Sequence, residues 1–165
     1  MIDGFPVISE TFILNQITGL IDLGHHVEIF PRYKTNPEVI HDDILQYKLL
    51  DKTHYISEIV PLNWFRKIVK AAGLFLTHFS RNPLLILKSL NVFKYKRDTL
   101  NLRYFFYTIR FLDKDVIHCH YGTNGKDYLF LKDIFGTKVR YITSFHGYDL
   151  TKSAYFQNGT YKDLF

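Results

Sequence analysis

Two short runs in this sequence carry side chains able to hold a ligand: His118-Cys119-His120, followed by Tyr121-Gly122, and Thr143-Ser-Phe-His-Gly-Tyr-Asp149. Imidazole and thiolate are zinc ligands, so the first run invites a metal reading. A strand would turn His118 and His120 to one face and Cys119 to the other, which denies a single metal all three donors. A two-histidine site completed by His146 is the remaining metal arrangement; polar residues at the edge of a cleft are the simpler account, and no metal is expected. The second run delivers a His, then a Gly, then an acid into a cleft at one strand end. Its competing account is a hydrogen-bonded histidine followed by a turn glycine. A third candidate is the helix start at Ser9-Glu10, where free backbone N–H groups and the positive dipole end suit an anion, although Glu10 would repel a phosphate without a cation nearby. Neither G-x-G-x-x-G nor G-x-x-x-x-G-K-[ST] occurs, so dinucleotide-binding and P-loop chemistry are unsupported. Asn158-Gly159-Thr160 fits a glycosylation sequon and is read more simply as an Asn-Gly turn.

The elements that must position these residues follow from apolar spacing. Ser9 to Gly24 reads as a helix, with Ser9 as N-cap, Glu10 in the first turn, Gly24 closing it, and Phe12, Ile13, Ile17, Leu20 and Ile21 as its apolar stripe. His26–Phe30 alternates as a strand that stops at Pro31. Asp42–Leu50 reads as a short helix and Thr53–Ile59 as weakly strand-like. Between Leu62 and Leu112 two or three helices are expected, interrupted near Asn82-Pro83 and around Lys94–Asp98. Asp115–Tyr121 is a strand ending in Gly122-Thr-Asn-Gly125, a flexible turn. Lys126–Phe135 is a helix capped by Gly136, and Val139–Phe145 is a buried strand ending at His146-Gly147. Strands alternating with helices imply a parallel sheet with ligands at the carboxyl ends of its strands, where His120, Gly122, Gly125, His146 and Gly147 all fall. The expected class is α/β, a Rossmann-like parallel sheet with helices on both faces. Only eight residues precede Ser9, and Gly4 and Pro6 are among them, so the strand before the first helix is expected to be missing.

The 165 residues suit one domain over 1–165, and 47% hydrophobic with 17% aromatic residues exclude disorder as the main state. The longest stretch free of Asp, Glu, Lys and Arg, Thr11–Ile21, falls short of the roughly 18 apolar residues that cross a bilayer, as does Ala71–Ser80. An acid at position 3 and the lack of a cleavage site after an apolar run argue against a secretory signal, and the single cysteine fits a reducing cytoplasm. The net charge of +5 is segregated: Pro61–Leu112 holds ten basic residues and one acid, the remainder 11 basic and 15 acidic. Within the 61–112 segment aromatic residues interleave with the basic ones, as in Trp64-Phe-Arg66-Lys67 and Lys70. An interfacial helix on anionic lipid, a polynucleotide-binding surface, and a solvated basic face over a buried aromatic one all use this mixture.

Taken in order, Phe5-Pro-Val-Ile-Ser-Glu-Thr-Phe-Ile-Leu-Asn-Gln16, Gly24-His25, Asp115-Val-Ile-His-Cys-His-Tyr-Gly122 and Thr143-Ser-Phe-His-Gly-Tyr-Asp149 resemble the amino-terminal half of glycosyltransferase family four, in its exopolysaccharide and colanic-acid-type branch. The resemblance implies the GT-B architecture and retaining transfer of a sugar from a nucleotide-sugar donor to a lipid-linked or oligosaccharide acceptor, without a metal or other cofactor. It implies that Ser9 and Glu10 line the cleft near the donor phosphates and that His146 hydrogen-bonds the donor sugar. Gly147 would then allow close approach, Asp149 would shape the turn, and His120 with Gly122 would form the adjacent wall. The basic segment, with Trp64, Arg66, Lys67 and Lys70, would dock on the cytoplasmic face of an anionic membrane, which is favoured over nucleic acid. The family's paired glutamates, eight positions apart in its carboxyl-terminal domain, have no counterpart among Glu10, Glu28, Glu38 and Glu58. The chain alone is therefore expected not to turn over, and a separate chain supplying that domain is one expected partner.

Overall fold

The computed structural model describes residues 1–96, 102–151 and 159–164. Asn158 of the sequon, and Arg97 and Asp98 of the expected helix interruption, lie outside them. The chain divides into two compact units, Met1–Ser57 and Glu58–Phe165.

In the first unit, β1 (Ile2–Phe5) leads into α1 (Thr11–Asp22), and β2 (Pro31–Lys34) returns parallel to β1 with Ile2 opposite Pro31 and Gly4 opposite Tyr33. The strand expected to be missing is therefore present. Gly4 does not break it: a Cβ there would lie 2.8 Å from the Tyr33 ring, so glycine is what lets the cross-strand tyrosine lie over the backbone. Nor does Pro31 end a strand. It opens β2, the strand position at which a missing N–H is tolerated, and residues 26–30 contribute only a bridge from Ile29 to Thr53. The N-cap is Glu10 rather than Ser9: the Glu10 carbonyl accepts from Ile13 and Leu14, its side chain makes no cap, and no acid lies in the first turn. The other end behaves as expected. Gly24 takes φ +85°, the Gly24 N–H reaches the Ile21 carbonyl and the His25 N–H the Leu20 carbonyl, a Schellman closure. Ile13, Leu14 and Ile17 are buried, but Phe12 is 43% exposed, so the stripe is shifted from the expected one. Asp42–Leu50 resolves into α2 (Asp42–Gln46) and a 3-10 turn at Leu49–Lys52; the weak strand at Thr53–Ile59 is instead the Thr53 bridge and α3 (Ile56–Ile59).

The second unit begins with helices α4 (Trp64–His78), α5 (Pro83–Ser89), α6 (Val92–Tyr95) and α7 (Arg103–Arg110). Pro83 opens α5 at a position where its absent N–H costs nothing, and the Asn63 and Asn91 side chains accept from the backbones of Arg66 and Lys94 to cap α4 and α6. Ala71, Ile86, Phe105 and Phe106 form a buried cluster. Full burial of each large apolar side chain contributes about 1.5–3 kcal/mol. β3 (Val116–His120) and β4 (Arg140–Ser144) pair in parallel, joined through α8 (Gly122–Asp127) and α9 (Leu129–Phe135). This is the expected Rossmann-like strand–helix–strand pattern. Two expectations change. β4 is not a buried strand, since Arg140 and Ile142 are exposed, and Gly122-Thr-Asn-Gly125 is the first turn of a helix rather than a flexible turn. Its two glycines supply clearance: a Cβ on Gly122 would lie 2.4 Å from Phe145, and one on Gly125 2.5 Å from Thr143.

Candidate functional site

The parallel register sets His118 opposite Ile142 and His120 opposite Ser144. Because alternate strand residues share a face, the two imidazoles stack, 4.4 Å apart at 27°. His118 Nε2 meets Ser144 Oγ at 2.7 Å, and His120 Nδ1 meets His146 Nε2 at 3.0 Å with the two rings only 8° from parallel. Tyr121 packs edge-on against His146 at 5.0 Å. His120 is 5% exposed; burial, with His118 and His146 beside it, pushes its imidazole down to about 3. Burial likewise holds His118 below the ordinary histidine value. At neutral pH His120 is uncharged, and a hydrogen bond between the two ring nitrogens has a proton on one of them and a lone pair on the other.

Asp149 fastens the ends of the two strands. It is 2% exposed, and its two carboxylate oxygens accept from the backbone N–H groups of Gly122 and His146, each at 2.7 Å. Charge-assisted bonds of this kind are the strong ones. Asn124, fully buried, donates from Nδ2 to the His120 carbonyl at 2.9 Å, and the Tyr121 N–H donates to the Ser144 carbonyl at 2.8 Å. Tyr121 itself is held at φ 70°, ψ 141°, a conformation that costs a residue with a side chain about 1–3 kcal/mol and persists only where its surroundings impose it. Gly147, at φ +32°, is exposed, and a Cβ there would meet nothing within 4 Å.

The second unit thus brings together His120, Gly122, His146 and Asp149 of the expected site, with Gly147 beside them in sequence. Ser9 and Glu10 belong to the first unit, Ser9 exposed and Glu10 half-buried. Ser144 and Asn124 were not singled out from sequence: Ser144 acquires its place through strand register, and Asn124 through a helix in what read as a glycine-rich turn. His118 and His120 do share a face, and Cys119 turns away to a buried position where its Sγ donates to the Tyr141 hydroxyl at 3.3 Å. Among the described residues no group of three or more His, Cys, Asp or Glu is arranged to hold a metal. The three imidazoles are instead bound to one another and to serine.

The remaining expected residues lie on α4, where only Ala71 is buried. Trp64 is 73% exposed, and Phe65, Ile68, Val69 and Leu76 share its arc of the helix. Arg66 is exposed, Lys67 half-buried, and Lys70 extends its ammonium over the Phe106 ring at 5.6 Å. Among the described residues no helix is long and apolar enough to cross a membrane.

No protein-family model matches the chain, and no solved structure matches it. Three curated proteins do. A protein named as a colanic acid biosynthesis glycosyltransferase, WcaL of Salmonella typhimurium, is 30% identical over 166 residues, covering 98% of this chain and 40% of the relative. WcaL of Escherichia coli is 28% identical over the same shares. The amylovoran biosynthesis glycosyltransferase AmsK of Erwinia amylovora is 30% identical over 156 residues, 90% of this chain and 37% of the relative. With its parallel strand pairs, flanking helices and ordered motifs, the chain is homologous to the GT-B-type glycosyltransferases represented by WcaL and AmsK and spans about 40% of their length.

Proposed function

We propose that this chain is the acceptor-side portion of a retaining glycosyltransferase that moves a sugar from a nucleotide-sugar donor to a lipid-linked glycan in exopolysaccharide synthesis, working at the cytoplasmic face of the membrane. The observation that carries the proposal is the fastening of the His146 loop by Asp149 to the start of α8, which sets an imidazole, a residue without Cβ and the Tyr121 ring together at the strand ends. Ligands in parallel α/β folds occupy that end of the strands. In this reading His146 hydrogen-bonds a hydroxyl of the donor sugar, Gly147 admits it, and His120 with Gly122 walls the site. For Ser9 and Glu10, at the start of α1, the proposed role is a contact to the donor phosphates. The exposed arc of α4, led by Trp64, seats the protein on anionic lipid, and Arg66, Lys67 and Lys70 of the same helix add charge, each basic residue near the surface contributing about 1 kcal/mol.

The test is titration of the 15N-labelled chain with a panel of nucleotide sugars. Saturable shifts at Gly122, His146 and Gly147, lost in His146→Ala, are expected. No shift with any nucleotide sugar would overturn the reading. Tight polynucleotide binding with a steep salt dependence, in the absence of lipid binding, would replace the membrane assignment.

A further inference from the structure

The strand ends hold more histidine than a single sugar contact requires. His146 sits on a loop, and an imidazole on a loop is free to exchange tautomers and rotate unless something holds it. Here its Nε2 is committed to His120 Nδ1 at 3.0 Å, with the rings nearly coplanar in orientation. His120 is in turn held from three sides. Its backbone lies in β3 opposite Ser144, its carbonyl accepts from the buried Asn124 amide, and its ring lies against that of His118, which is anchored to Ser144 Oγ at 2.7 Å. The loop backbone is fixed separately, by Asp149 on the His146 N–H.

We propose that His120 is a positioning residue: through its Nδ1···Nε2 bond it locks His146 in one tautomer and one ring plane, so that a ligand at the strand ends meets a single, fixed imidazole nitrogen. This deepens the sugar-binding reading and rests on it for the identity of the ligand. The lock itself rests on geometry. A bond between two ring nitrogens holds one proton, so whichever of His120 Nδ1 and His146 Nε2 carries it, the other is bare, and burial keeps His120 uncharged at neutral pH. An imidazole confined to one tautomer presents either a donor or an acceptor, not both in exchange. That selects between ligand atoms and spares the ordering cost on binding.

The experiment is long-range 1H–15N correlation of the imidazoles in the 15N-labelled chain at pH 7. The expected result is two widely separated His146 nitrogen shifts, one protonated and one not. In His120→Phe, which keeps a ring in the stack but removes the bond, those shifts should collapse toward their average; in His120→Asn, whose amide reaches the position of Nδ1, the separation should return. Averaged shifts in the parent chain would overturn the proposal even if His120→Phe failed to fold, and so would an unchanged separation in a folded His120→Phe. UDP-glucose, added as probe, separates this from the ligand reading. A locked His146 that ignores UDP-glucose counts against sugar binding alone; an averaged His146 that responds to it counts against positioning alone.

Discussion

The strand-end cluster and helix α4 belong to the same unit and break the ordinary burial pattern in opposite directions. At the strand ends Asp149, Asn124 and His120 are buried, and each has at least one side-chain polar atom met by backbone or imidazole. On α4, Trp64, Phe65, Val69 and Leu76 are exposed while a single alanine is buried. A buried polar group and an exposed apolar arc are the informative departures from the rule that apolar side chains go inside. The first fixes geometry through directional hydrogen bonds. The second leaves a surface whose shape matters less than its chemistry, as suits a partner without fixed structure such as a lipid interface.

Breaking the first half of that contrast should cost most. Asp149→Ala removes the acceptor of two backbone donors, that of Gly122 buried and that of His146 part-buried, and bonds to a charged acceptor are worth about 1.5–3 kcal/mol each. A loss of about 3–5 kcal/mol in urea unfolding is expected, enough to abolish a cooperative transition in a small chain. A loss under 1 kcal/mol would mean that the strand ends are no more tightly determined than α4. Gly122→Ala should follow, because its Cβ would meet Phe145 at 2.4 Å and Tyr161 at 2.7 Å, ring atoms that are part of the packed structure. Overpacking of this kind costs about 1–3 kcal/mol. Gly147→Ala is the control: it meets nothing within 4 Å, and only its φ of +32° opposes it.

The unequal legibility of the two regions has a physical origin. The residues of the strand-end cluster could be picked out because a strand projects alternate residues to one face, so His118 and His120 had to be neighbours, and because Gly and His at strand ends are unusual on their own account. What tied them together was not readable. The Asp149 carboxylate spans 27 positions to Gly122, and the His118–Ser144 contact depends on a register that no local pattern encodes. Gly122-Thr-Asn-Gly125 misled because glycine is read locally as flexibility, whereas here it answers crowding by Phe145 and Thr143 from elsewhere in the chain. β1 was missed for the same reason at Gly4. The basic character of α4 was plain in the sequence, but its exposed face was not, because apolar residues at helical spacing normally mark the buried side.

Acid should act on the strand ends as a graded effect. An unfolded imidazole takes up a proton as pH falls through 6.5, while folded His120 does so only near 3. Across that window the unfolded state binds more protons, so stability is fully present above about 6.5 and declines as pH is lowered, by up to about 1.4 kcal/mol per pH unit for one such group. His118, also shifted down, adds in the same direction. Asp113 and Asp133, whose carboxyls are held below 3.8, add their loss only at lower pH. Urea midpoints between pH 6.5 and 4.5 therefore report the histidines. His120→Phe should flatten that slope, and a parent chain whose stability is level over the same range would remove the buried, neutral histidine from the comparison.

The smallest effects on folding are expected on α4, and they sharpen the contrast because they should be large elsewhere. Trp64→Ser and Arg66→Glu touch exposed side chains, so unfolding should change by less than about 0.5 kcal/mol. Binding to vesicles containing anionic phospholipid should nevertheless fall about fivefold or more for each basic charge lost, the equivalent of about 1 kcal/mol, and the loss should shrink as salt is raised. Lys70 tests whether fold and docking are separable within one helix. Its ammonium lies over the Phe106 ring, inside the cluster that holds α4 down, and an interaction of that kind is worth about 0.5–1 kcal/mol at an exposed site. Lys70→Ala should therefore weaken both vesicle binding and stability, while Arg66→Ala weakens binding alone. If Arg66 and Lys70 behave alike in both measurements, the basic residues of α4 act only as a diffuse charge. If Trp64→Ser leaves vesicle binding untouched, the exposed arc is not the docking face, and the apolar half of the contrast has to be explained by another partner.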